Sequence, residues 1–277
     1  MRSVVSVDDV LALADGKLAS ILRRSQRALG AALKFLAGNP GAELIDDEYG
    51  VRFFNRALPP ESAVLAMPRS PAEVGQLIDA ELERFAALGL QVDWCLFPAP
   101  MARDMATCLA RRGLTPGSTP WLVADLSVLP AAPTKVPGLR IERAETSAQM
   151  ADWERAFADG FGTVNGAKRY HDAYVGQPRT GGRLHHVAYA GERPVACSTL
   201  LLDEGLATVW DVATAPDQRR RGYGAALVHV LIEEALRAGC SHASLNSSPV
   251  GRAMYRSLGF DLEVAIPEFH WAPPSAE

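Results

Sequence analysis

Arg219, Arg220 and Arg221 stand directly before Gly222-Tyr223-Gly224-Ala225. Guanidinium groups followed by two residues without side chains are an unusual way to open a helix. Each glycine costs ~1 kcal/mol against alanine inside a helix, and cations oppose the positive end of the helix dipole. Both choices make sense if an anion sits there. Unpaired N–H groups at a helix N-terminus grip phosphate. Bare main chain at Gly222 and Gly224 lets a large ligand approach, and arginine adds forked donors suited to a diphosphate.

The elements around these residues place them at a strand-to-helix turn. Val209–Thr214 is apolar and rich in β-formers, as a buried strand requires. Pro216-Asp217 breaks it. Leu227, Val228, Leu231 and Ala235 then recur at the spacing of a packed helix face, and Arg237 with Gly239 closes that helix. A P-loop is excluded, because no Lys-Ser or Lys-Thr follows the second glycine. A dinucleotide fingerprint is excluded, because its third glycine would fall on Leu227.

The pattern Arg219-x-x-Gly222-x-Gly224 after Val212-Ala213-Thr214 resembles the coenzyme A pyrophosphate loop of the GNAT (GCN5-related N-acetyltransferase) superfamily. The tail Asn246…Tyr255-x-x-Leu258-Gly259-Phe260 resembles the last segment of the same superfamily, so the likeness spans about 139–271. It implies an α/β fold in which a mixed, mostly antiparallel sheet is flanked by helices, with the strands beside the Gly222 helix splayed. It implies acetyl-CoA as acetyl donor and no metal. The backbone N–H groups of Val212, Ala213 and Thr214 would take the acetyl oxygen and pantetheine arm. Arg219, Arg220, Arg221, Gly222, Tyr223, Gly224 and Ala225 would hold the diphosphate, and Asn246 would help bind the cofactor. Tyr255 would protonate the leaving thiolate after direct attack by a primary amine, on a small molecule or a peptide. No general base is readable: Asp203, Glu204 and Asp211 lie on or near the central strands, where turn and edge roles are commoner.

The rest of that half supplies strands at Leu139–Glu142, Leu184–Tyr189, Val195–Leu202, Leu206–Thr214 and His242–Asn246. Helices are expected over Ser147–Phe157, around Lys168–Tyr174 and after Ser248-Pro249. The Pro-rich run LPAAPTKVPG reads as a linker. It divides the chain into 1–129, a linker at 130–138, and 139–277.

The first half has a helical rhythm over residues 4–37, broken at Asp15-Gly16 and at Gly30. A hairpin spans Ala42–Asn55. Ser70-Pro71-Ala72-Glu73 starts a helix ending at Gly89, followed by a strand at Val92–Phe97, a helix at Ala102–Arg112 and a strand at Trp121–Leu126. Superposing Gly89 on Gly239 puts Ala72 and Val74 where Gly222 and Gly224 lie, and a matching frame puts Leu109 at Tyr255. The first half therefore reads as a degenerate GNAT-like copy that kept the fold and lost the site.

Composition sets the outer limits. A net charge of −4 argues against nucleic acid as a partner. No apolar run is long enough to span a bilayer. Scattered Cys95, Cys108, Cys197 and Cys240 fit a reduced, cytoplasmic compartment. His185-His186 alternate across a strand and cannot share a metal. Trp153, Phe157, Phe161, Tyr170 and Tyr174 either line an acceptor pocket or pack. Amino acid, antibiotic, polyamine and protein N-terminus are all open as acceptors, and both monomer and homodimer are compatible. The rival reading is a non-catalytic acyl-CoA sensor, which would keep Arg219–Ala225 and lose turnover.

Overall fold

The computed structural model describes residues 3–13, 15–37, 41–56, 62–68, 70–130, 132, 135–162 and 183–274. In chain order the early elements are β1 (Ser3–Val5), α1 (Val7–Ala12), α2 (Lys17–Leu36), β2 (Ala42–Asp47), β3 (Gly50–Asn55), β4 (Ala63–Ala66), α3 (Pro71–Leu88), β5 (Val92–Cys95), α4 (Ala102–Arg111) and β6 (Thr115–Asp125). Then follow β7 (Leu139–Arg143), α5 (Ser147–Phe161), β8 (Arg183–Ala190), β9 (Arg193–Asp203), β10 (Leu206–Thr214), α6 (Tyr223–Arg237), β11 (His242–Asn246), α7 (Arg252–Ser257) and β12 (Leu262–Trp271).

The chain forms two compact units, one of Val4–Pro120 with the chain from Val264, the other centred on Trp121–Glu263. In the first, β2, β3 and β4 pair antiparallel in sequence, β4 pairs β5 in parallel, and β5 pairs β12 antiparallel. Its core gathers Phe54, Ile78, Phe85, Trp94, Leu96, Met105 and Phe269, with Phe54 stacked on Phe85 at 4.7 Å. Arg52, nearly enclosed, donates to Asp47 at 2.6 Å and to Glu81 at 3.1 Å.

In the second unit β7, β8, β9 and β10 run antiparallel in sequence, β10 pairs β11 in parallel, and β11 pairs β6 antiparallel. This is the mixed, mostly antiparallel sheet the resemblance implies. Strand side chains alternate between faces, and the core divides accordingly. Val187, Tyr189, Cys197 and Ala213 pack with α5 residues Trp153 and Phe157, whereas Ala188, Ala196 and Val195 pack with α6 residues Tyr223 and Leu227. Helices thus cover both faces.

The compact units divide the chain at Pro120 and Glu263, not at the Pro-rich run. The reason is strand pairing. Trp121–Asp125 of β6 pairs the whole of β11 and sends Leu122 and Ala124 into the second core. After Glu263 the chain leaves that unit, and β12 pairs β5, giving Phe269 to the first core. Each unit is closed by a strand that the sequence places with the other.

Several boundaries also differ from expectation. Gly30 does not interrupt α2; its bare α-carbon lets the helix approach β3, where an added Cβ would meet Val51 Cγ2 at 3.3 Å. β4 was not expected, being only four residues long. Pro194 lies inside β9, and the turn shrinks to Gly191-Glu192. The helix expected around Lys168–Tyr174 lies outside the described residues.

Candidate active site

β10 and β11 pair only at Leu206↔His242, Ala207↔Ala243 and Thr208↔Ser244. Beyond that point β11 stays with β6 and β10 stays with β9, so the strands part. One edge of Val209–Thr214 is left without a strand partner among the described residues. The β10–β9 register also shifts between Trp210 and Ala213, a β-bulge. Asp211 sits in it with φ +55°. Its carbonyl accepts the Cys197 thiol at 3.5 Å. Burial pushes the pKa of its carboxyl up to about 6, against the opposing pull of Thr199 and Arg183. Val212 packs partly buried in the core under α6, Ala213 is buried against α5, and Thr214 pairs with Ala196.

The connection to α6 is braced from several sides. Arg193 holds Asp217 with two bonds of 2.6 and 3.0 Å. Arg219 donates to the Thr214 carbonyl at 3.1 Å and the Gly160 carbonyl at 2.8 Å. Its guanidinium therefore ties the end of β10 to the end of α5, a structural task the sequence did not reveal. Arg220, with φ +65°, and Arg221 are exposed. Gly222 is the N-cap at φ +84°, a conformation that strains any side chain, and no side chain caps the helix. At Gly224 an added Cβ would stand 3.2 Å from Met254 Sδ, so this glycine also admits the close approach of α7.

The first helical N–H with a backbone partner is that of Ala226, on the Gly222 carbonyl at 3.0 Å. The N–H groups of Tyr223, Gly224 and Ala225 have no partner among the described residues, and no acidic side chain lies in the first turn. Three aligned donors and the positive end of a 15-residue helix face outward there. That arrangement fits a diphosphate.

Tyr255, on α7, is buried in the core beneath α6, edge-on to Phe260 at 6.0 Å. Its hydroxyl has no hydrogen-bond partner among the described residues, and burial raises its pKa to about 12. It is a weaker acid than tyrosine in water and stays protonated at neutral pH. Asn246 ends β11, exposed.

His185 and His186 face opposite ways, as strand alternation requires. His185 bonds Thr199 Oγ1 at 2.9 Å and lies edge-on to Trp153, and burial drives its pKa to about 3, leaving it neutral. His186 meets Glu234 of α6 at 3.1 Å. No group of His, Cys, Asp and Glu with metal-binding geometry occurs among the described residues. Trp153 and Phe157 are core residues stacked at 5.2 Å, with Phe161 against Phe157; Tyr170 and Tyr174 lie outside the described residues.

Residues 148–260 match the acetyltransferase (GNAT) family. The second half carries a GNAT domain. The matched segment lies wholly within the unit centred on Trp121–Glu263. A GCN5-related N-acetyltransferase from Kribbella flavida superposes with a TM-score of 0.64 at 20% identity, over 91% of this chain and 96% of its own. A tandem GNAT protein from the clavulanic acid biosynthesis pathway superposes at 0.60 and 14% identity, over 96% and 98%. One from Sphaerobacter thermophilus gives 0.58 at 15%, over 85% and 78%. At these identities the likeness concerns the fold. No curated protein matches the chain in sequence. Among the described residues, no helix is long and apolar enough to cross a membrane.

Within the GNAT domain, sequence reading placed the bare helix terminus and Tyr255 but passed over the posture of Asp211. Its signal was a lone carboxylate inside Val209-Trp210-Asp211-Val212, where burial is costly.

Proposed function

We propose that the second unit transfers the acetyl group of acetyl-CoA to a primary amine, and that the first is a GNAT-like copy without a cofactor site. The observation that carries this reading is the run of unpartnered N–H groups at Tyr223, Gly224 and Ala225, beside the open edge of β10. Acetyl-CoA supplies an activated acetyl thioester. The terminus of α6 holds its phosphates, with Arg220 and Arg221 adding charge from the loop. The open edge of Val212–Thr214 offers N–H groups to the thioester oxygen and the pantetheine amides, polarising the carbonyl for attack. Tyr255 supplies a proton to the departing sulfur. Its raised pKa keeps it protonated at neutral pH, so the proton is in place when the sulfur departs.

Tyr255→Phe is the test. It should lower kcat by about 10²–10³-fold, leave coenzyme A affinity unchanged by calorimetry, and leave the melting temperature nearly unchanged because the hydroxyl has no partner. Tight acetyl-CoA binding by the wild type with no thiol release on any amine would favour the acyl-CoA sensor.

A further inference from the structure

We propose that the acetyl acceptor is an amine carried on an aromatic ring that bears an oxygen, and that Trp210 with Trp121 forms the wall that selects it. The assignment rests on the acetyl-transfer reading above and gives it a substrate class.

Strand register places the wall. Trp210 pairs Thr199 across β10 and β9, and Thr199 pairs His185, whose ring lies edge-on to Trp153 of α5. Paired residues share a face of the sheet, so Trp210 stands on the α5 side. Trp121 stands there too, because it alternates with Leu122, which enters the core beneath α6. The two indoles come from β10 and β6, which lie on either side of β11. They meet edge to face, with centroids 6.0 Å apart and planes at 76°. Trp121 is 1% exposed.

The wall stands where the site opens. Trp210 lies beyond Thr208, the last residue of β10 paired with β11. Tyr255 belongs to the other face, in one core with Val209 and the underside of α6. Coenzyme A therefore comes from the α6 side, and the amine meets the thioester from the side of the indoles.

The hydrogen bonds on this face leave one donor over. Thr199 is engaged with His185 at 2.9 Å, and the hydroxyls of Thr208 and Ser244 meet at 3.4 Å. The Trp210 indole N–H is buried and has no hydrogen-bond partner among the described residues. Indole nitrogen donates and never accepts, and a buried donor without a partner is costly. An oxygen on the ligand removes that cost. The rings beside it suit a flat, apolar body.

Other amines fit the wall poorly. Beside the parting, the strand positions on this face carry indoles, hydroxyls and an amide, at Trp121, Thr199, Thr208, Trp210, Ser244 and Asn246. Asp211, next in the chain, is a single charge, whereas a polyamine brings several ammonium groups that must each give up water. An amino sugar brings many hydroxyls to one waiting donor.

The test uses the full chain with acetyl-CoA, read by thiol release. The substrates are two pairs of aryl amines that differ by one ring hydroxyl, tyramine against phenethylamine and serotonin against tryptamine, with spermidine and glucosamine beside them. In at least one pair the hydroxylated amine should have a kcat/KM about 10-fold or more above its bare partner. Both members of that pair should exceed spermidine and glucosamine. Trp210→Phe keeps a ring and removes the N–H. It should bring the favoured amine to within about threefold of its partner, leave the partner nearly unchanged, and leave coenzyme A affinity by calorimetry as it was. The wild-type comparison among amines stands whether or not that variant folds. Equal rates within both pairs, an equal loss on both members in Trp210→Phe, or a preference for spermidine or glucosamine would overturn the assignment and leave acetyl transfer standing. Tight acetyl-CoA binding with no turnover on any amine would overturn the acetyl-transfer reading, and this assignment with it.

Discussion

Helices α3 and α6 begin differently and end alike. Both finish in a left-handed glycine followed by a bond reaching back five residues. Gly89 has φ +64° with Leu90 N–H on the Phe85 carbonyl at 3.0 Å; Gly239 has φ +77° with Cys240 N–H on the Ala235 carbonyl at 2.9 Å. α4 and α7 repeat the match: Leu114 bonds back to Leu109, and Phe260 to Tyr255, both at 3.2 Å. The starts diverge. At α3, Pro71 has no N–H to offer, and the Ser70 N–H donates to the Glu73 carboxylate at 3.1 Å. At α6 there is a bare Gly222 and no acid in the first turn. One helix carries its own anion and the other has none. The caps that terminate these helices are thus alike in both units, while the groups at their starts differ.

Four changes would break or sharpen that contrast, taken from the largest expected effect to the smallest. A chain of residues 139–277 alone should show no cooperative thermal transition by circular dichroism. It lacks Trp121–Asp125, the partner of all of β11. A sharp melt would mean the units separate along the sequence. Arg52→Met in the first unit should cost about 3–5 kcal/mol in denaturant unfolding, because it strands the Glu81 carboxylate, 3% exposed, without its cation. Buried charge in the first unit is compensated; in the second, at Asp211, it is not. Asp211→Asn should therefore do the opposite and gain roughly 2–3 kcal/mol at pH 7. Folding raises the Asp211 pKa from 3.8 to about 6. Its penalty is thus absent below about pH 4, grows as pH rises through 6, and the gain on removal should follow the same course. Ala225→Glu gives α6 the acid that Glu73 gives α3. It should weaken coenzyme A binding in calorimetry by 10–100-fold, roughly 1.4–2.7 kcal/mol, with folding stability changed by less than about 1 kcal/mol. Unchanged affinity would remove the diphosphate from this helix terminus.

What the sequence disclosed was local. Ser70-Pro71-Ala72-Glu73, the closing glycines, the Gly222 turn and the apolar periodicities are each written within one turn of chain, and each appears where expected. The parting of β10 and β11 was also foreseen, through the resemblance. What escaped depends on distant partners. Arg219 looked like a phosphate ligand because its neighbours are cationic; only the fold brings the Gly160 carbonyl, 59 residues earlier, to its guanidinium. Gly224 looked like room for a ligand, and it is also room for Met254. Asp211 looked like an edge residue, because a bulge is a property of two strands and cannot be read from one. The allotment of β6 and β12 escaped for the same reason, since strand register is decided by pairing.

The placement of β12 bears on how the protein is made. The strand follows the second unit in the chain, yet Glu268 to Trp271 pair with Val92–Cys95 of the first. The first unit must wait, one strand short and with Trp94 and Phe85 incompletely roofed, until the second has been synthesised. Its partner has every strand it needs by the time Glu263 emerges. The unit begun first is thus finished last, and a chain stopped just after Glu263 would complete the second unit while leaving the first unsealed.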